Sequence, residues 1–61
     1  MVRARYIKTM DFEFRDVIIL NCENEYDVAD RIKDNVVLKI QNEQEIEYIN
    51  SSYVMFYTLE E

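Results

Sequence analysis

No glycine, proline, histidine or tryptophan occurs in this chain of 61 residues, and Cys22 is its only cysteine. Each absence closes a route. Without glycine neither a P-loop nor a G-x-S-x-G nucleophile elbow can be built. Turns that need a positive φ then fall on Asn or Asp, the other residues that tolerate it best. Without histidine the commonest general base is missing, and one thiol leaves a zinc site short of ligands. A lone cysteine cannot close a disulfide within the chain, and it fits a reducing compartment. The longest apolar runs, VIIL at 17–20 and YVMFY at 53–57, fall far short of the ~20 residues of a membrane-spanning helix. The opening MVRARYIKTMDFEF lacks the apolar stretch of about 7–15 residues that marks a secretory signal. The expectation is a cytoplasmic protein that is not an enzyme and carries no cofactor or metal.

What is present favours folding. Hydrophobic residues make up 49% of the chain, with five Tyr and three Phe, so the 33% of charged residues does not make it a disordered tail. One domain, 1–61, is all that the length allows. Chains this short bury only about 60% of their unfolded surface, and many lean on staples or on oligomerisation. Charge is unevenly spread. Arg3, Arg5 and Lys8 stand in the first ten residues without an acid, whereas the rest carries four bases against 13 acids. The net charge of −6 opposes direct binding to nucleic acid and to anionic membranes. Basic protein surfaces are the expected partners.

Periodicity predicts the order β-β-α-β-β-β. Residues 2–10 alternate loosely as a strand. The next strand keeps Phe12, Phe14, Val17 and Ile19 on one face only if a bulge falls near Arg15–Asp16. A helix is expected over 21–35, capped by Asn21 or Asn24 and stopped by Asn35 in a left-handed conformation. Its apolar stripe would use Cys22, Tyr26, Ala29 and Ile32 or Lys33, widened by Val28 and Ile32. Then VVLKIQ would turn Val36, Leu38 and Ile40 inward, EIEYIN would turn Ile46 and Tyr48 inward, and a last strand would complete a meander. The fold class is α+β: a small curved antiparallel sheet with one helix packed on it, either a partly open barrel or a two-layer sandwich.

Three features could carry function. Glu23, Asp27, Asp30 and Asp34 follow spacings of 4, 3 and 4, which on one helix face places a carboxylate every ~5–6 Å. That interval resembles the spacing of phosphates along a nucleic-acid strand. Like charges so placed cost about 0.2–0.5 kcal/mol per pair, partly returned if Asp27 meets Arg31 and Asp30 meets Lys33; the alternative is a merely solvated face. Asp27, Asp30 and Asp34 could also approach a hard cation, but one helix face without loop carbonyls makes a poor cage. A second acidic set, Glu43, Glu45 and Glu47, would be neutralised if Arg3 and Arg5 lay opposite. Finally, Tyr53, Met55, Phe56 and Tyr57 make the last strand apolar on both faces. Its second face calls for closure by the chain itself, a second copy or another partner, with Glu60 and Glu61 as gatekeepers. Cys22 lies where a helix dipole could activate a thiol, or it is a small buried hydrophobe.

No motif here defines a family. In composition the chain resembles very small acidic one-domain binding proteins, among them viral proteins of the bacteriophage-inhibitor type, some of which mimic nucleic acid. The expected function is a non-enzymatic inhibitor that occludes a basic surface of a larger protein. The carboxylate stripe would steer it, and Tyr or Met side chains would anchor it. The alternative is a self-assembling module, a homodimer or small ring, with solubilising acidic faces. Direct nucleic-acid contact would require Arg3, Arg5, Lys8 and Arg15 to gather on one face.

Overall fold

Alternating apolar residues in the first third of the chain build a hairpin on which everything else is laid. The structure, a computed structural model, describes residues 1–60; Glu61 and its gatekeeper role lie outside them. Strands β1 (Val2–Thr9) and β2 (Glu13–Ile19) are followed by helix α1 (Glu25–Lys33), strands β3 (Leu38–Gln41) and β4 (Ile46–Ile49), and, after one 3-10 turn (Ser51–Tyr53), strand β5 (Val54–Leu59). The five strands form one antiparallel sheet in the order β4-β3-β2-β1-β5. This is the expected α+β architecture, with two corrections. The sheet does not close into a barrel: β4 and β5 are its two edges. Nor do the last three strands form a meander, because β5 crosses to the far edge and pairs with β1. There Leu59, Tyr57 and Val54 stand opposite Ala4, Ile7 and Thr9, so the apolar side of β5 joins the core beside β1.

In place of the expected bulge near Arg15–Asp16 there is a phase defect shared by both strands, with no inserted residue. Asp16 takes φ 54°, and the buried positions shift phase, from Val2 and Ala4 to Ile7 and Thr9 in β1 and from Phe14 to Val17 and Ile19 in β2. The two strands shift together, so their register is unbroken. Strand β5 follows with two compensating irregularities, one beside Arg5 and one at Met55. At the tip the Met10 amide donates to the Tyr53 carbonyl at 3.1 Å, continuing the β1–β5 pairing one step beyond Thr9 and Val54. Phe12, expected inside, falls in the turn before β2 and is exposed.

The helix is shorter than periodicity suggested. Asn24 is its N-cap and accepts from the Asp27 amide at 3.0 Å, and Asn21 serves the sheet instead. The Asn21 side chain donates to the Val37 carbonyl and accepts from the Lys39 amide, extending the β2–β3 ladder by one rung. At the other end Asn35 sits at φ 58°. Its amide bonds to the Ile32 carbonyl and that of Val36 to the Arg31 carbonyl, a Schellman stop made without glycine. With the helix starting at Glu25, Val28 is its fully buried residue and Tyr26 and Ala29 are exposed.

Val2, Ala4, Ile7, Val17, Ile19, Cys22, Val28, Leu38, Ile40 and Ile49 form the core, flanked by Phe14, Ile32, Val54, Tyr57 and Leu59. Val36 lies before β3 and is exposed. Strand β4 has the opposite phase to the expected one: Ile49 pairs with Leu38 and turns inward, so Ile46 and Tyr48 face out. The shortest dimension of the molecule is 17 Å, room for a sheet and one helix but no third layer.

Candidate interaction surfaces

Capping chemistry decides how much of the acidic stripe is free. Asp27 is spent locally: its amide donates to Asn24, and its carboxylate accepts from the Glu23 amide at 2.9 Å. Glu23 precedes the helix, and Asp34 is its C-cap, so only Asp27 and Asp30 lie within it. Glu23, Asp30 and Asp34 are exposed. The pairs of Asp27 with Arg31 and Asp30 with Lys33 do not form; among the described residues the one ion pair joins Arg3 to Glu60, at 3.7 Å.

The second acidic set is not answered by Arg3 and Arg5. Strands β3 and β2 separate β4 from β1, so Glu45 and Glu47 lie far from both arginines. Asn42 organises this turn instead, accepting from the Gln44 and Glu45 amides and donating to Glu47 at 3.1 Å.

On β5 the two faces separate. Tyr57, opposite Ile7, is half-buried against the core; Phe56, opposite Lys8, is exposed on the convex face, and Met55 is exposed at the irregularity beside it. Tyr53, half exposed, belongs to the turn that precedes the strand.

Two aromatic clusters emerge that the sequence did not single out. The first lies on the convex face of the sheet. Tyr6 is flanked by Arg15 on β2 and lies near Phe56 on β5, with ring centroids 6.0 Å apart. The Arg15 guanidinium stands 5.0 Å from the Tyr6 ring centre, and the Tyr6 hydroxyl donates to the Glu13 carboxylate. That hydrogen bond raises the Tyr6 pKa and lowers that of Glu13, which the Lys8 charge lowers further. Ring, cation and carboxylate satisfy one another.

The second lines a cleft of about 300 Å³ between the hairpin tip and the end of β4. Phe12 and Phe14, with centroids 6.4 Å apart, line it together with Thr9 and Asp11 of the hairpin and with Glu47, Tyr48 and Tyr53 from β4 and the turn after it. Among the described residues that line it there is no Lys or Arg. A wider groove, about 800 Å³, runs between the start of α1 and strand β5 and holds both Arg3 and its partner Glu60.

Cys22 is buried, and burial raises its pKa, against the pull of Arg31. It is a core side chain rather than an activated thiol. No group of three potential metal ligands occurs among the described residues, and no helix there is long and apolar enough to cross a membrane. Of Arg3, Arg5, Lys8 and Arg15, Arg3 pairs with Glu60, Lys8 stands opposite Glu13 and Arg15 lies over Tyr6.

Searches against protein-family models, curated proteins and solved structures returned no match.

Proposed function

We propose that this chain is a non-enzymatic binding protein that occludes a basic surface of a larger protein, competing there with nucleic acid. One observation carries the reading: Glu23, Asp30 and Asp34 are exposed and make no ion pair among the described residues, although Arg31 and Lys33 are close in sequence. Charges left free in this way steer association and set specificity. The test is capture from a cell extract at low salt, followed by elution with duplex DNA. The proposal expects a captured protein that DNA displaces and that a Glu23→Gln, Asp30→Asn, Asp34→Asn variant does not hold. Asp27 is spared because its carboxylate and amide cap the helix. Equal capture by the variant would end the reading.

Self-association has a supporting observation of its own. Strand β5 is a free edge with Met55 and Phe56 exposed, the kind of strand that pairs with another chain. Its irregularity at Met55 works against such pairing, as bulges do on natural edges. Light scattering at two concentrations decides: a dimer abolished by Phe56→Asp supports it, and a monomer at both rejects it.

A further inference from the structure

The cleft at the hairpin tip has a lining that asks for one kind of occupant. Four aromatic residues, Phe12, Phe14, Tyr48 and Tyr53, and two acids, Asp11 and Glu47, line a space of about 300 Å³, and the Glu47 carboxylate also accepts from the Asn42 side chain at 3.1 Å. Cavities of this size begin at the lower end of the range that holds small ligands, about 300–1,000 Å³. Aromatic faces attract a cation placed within about 6 Å of the ring centre, and carboxylates beside them add charge and accept its hydrogen bonds.

An anion would meet two negative charges and no cation among the described lining residues. A purely apolar side chain would desolvate both acids without supplying a cation, leaving Glu47 only its hydrogen bond from Asn42. A guanidinium satisfies rings and carboxylates together, being planar, weakly hydrated and able to stack while it donates. The convex face displays the same trio already complete: the Arg15 guanidinium lies over Tyr6, whose hydroxyl bonds to Glu13. The cleft has the rings and the acids, and its cation must come from outside.

We infer that this cleft is a docking site for an arginine side chain of a partner protein. The inference rests on the proposed function in that the partner presents a basic surface. It adds the place where one side chain of that surface anchors, at some distance in sequence from the helix carboxylates. Tyr53, exposed beside the cleft, is one of the anchor residues expected from the sequence, and Glu47 belongs to its second acidic set; Phe12, Tyr48 and Asp11 are new.

The experiment is an amide chemical-shift titration of the labelled full chain with acetyl-Ala-Arg-Ala-amide, and in parallel with the same peptide carrying citrulline, which is isosteric but neutral. The expected result is saturable shifts at residues 9–14 and 47–53 with the arginine peptide and much smaller ones with citrulline. Tyr48→Leu should weaken binding about two- to fivefold, the range of an exposed cation–π contact, and Tyr48→Phe should keep it. Tyr48 is well exposed, so neither variant threatens the fold. Equal response to both peptides, or indifference to Tyr48→Leu, would overturn the inference. A dimer by light scattering whose interface shifts map to the cleft would also overturn it, by giving the cleft to a second copy.

The Glu23→Gln, Asp30→Asn, Asp34→Asn variant separates the two proposals. Peptide shifts that persist in it while protein capture is lost support both. Capture that persists in it while peptide shifts stay confined to the cleft leaves the cleft standing and removes the stripe.

Discussion

Two aromatic clusters sit on opposite sides of one bent hairpin, and they differ in a single component. On the convex face Tyr6 has its own cation, Arg15, and its own carboxylate, Glu13. At the tip Phe12, Tyr48 and Tyr53 have the carboxylates Asp11 and Glu47 but no cation among the described lining residues. The first is a finished surface contact, the second an unfinished one. The proposed docking site turns on this difference: one set of exposed aromatic residues is answered by a cation of the chain itself, and the other has none among the described lining residues. Exposure alone does not separate them, since Phe56 and Tyr53 are both about half exposed, at 55% and 50%.

The comparison breaks completely if the hairpin that positions Tyr6, Phe12 and Phe14 is loosened. Ile7 is 1% exposed and lies in β1 between Phe14 and Tyr57. Ile7→Ala should cost about 2–5 kcal/mol, against a total of about 3–9 kcal/mol expected for a chain of this size. Phe12→Ala, at an exposed site, should cost well under about 1 kcal/mol. Urea unfolding of the two variants measures both.

A smaller change should turn one cluster into the other. Arg15→Gln removes the internal cation and leaves Tyr6, Phe56 and Glu13 as rings and an acid without a base. Stability should fall by about 0.5–1 kcal/mol, and an arginine peptide should now perturb Tyr6 and Phe56 as well as the cleft.

The finished cluster should also titrate. Folding raises the Tyr6 pKa, so the stability it contributes is complete below the ordinary tyrosine value and lost as pH rises through the raised one. Folding lowers the Glu13 pKa, so its contribution is present above the ordinary carboxylate range and lost as pH falls through the lowered value. Tyr6→Phe removes the hydrogen bond behind both shifts and should flatten both limbs. Urea midpoints measured from about pH 3 to about pH 11 would check this. Cys22 gives the smallest signal and a useful control. Its buried thiol should react with a disulfide reagent only at the rate of opening, unchanged by Tyr48→Leu and faster in Ile7→Ala.

Much of the fold could be read locally. The alternation of β1, the phase defect at Asp16, the cap at Asn24 and the stop at Asn35 all depend on neighbours within a turn or two. Strand order depends on distant partners. No local pattern distinguishes β5 beside β4 from β5 beside β1, and the meander expectation failed there. Strand β4 was misphased because Ile46 and Tyr48 alternate as well as any inward pair, and only Leu38 opposite Ile49 fixes the register.

The cleft was hidden for the same reason. Phe12 and Tyr48 are 36 positions apart in sequence, and Phe12 alternates with Phe14 like a core residue although it falls in the turn before β2. The acidic stripe was legible as spacing, but spacing could not reveal that Asp27 is committed to the cap.

One measurement bears most directly on the difference between the clusters: nuclear Overhauser contacts from the side-chain methylenes of a bound arginine peptide. Contacts to the rings of Phe12, Tyr48 and Tyr53, with none to Tyr6 or Phe56, are the predicted result. Contacts to Tyr6 and Phe56 while Arg15 is in place would contradict the account, because the finished cluster would then be open and the cleft would have no special claim.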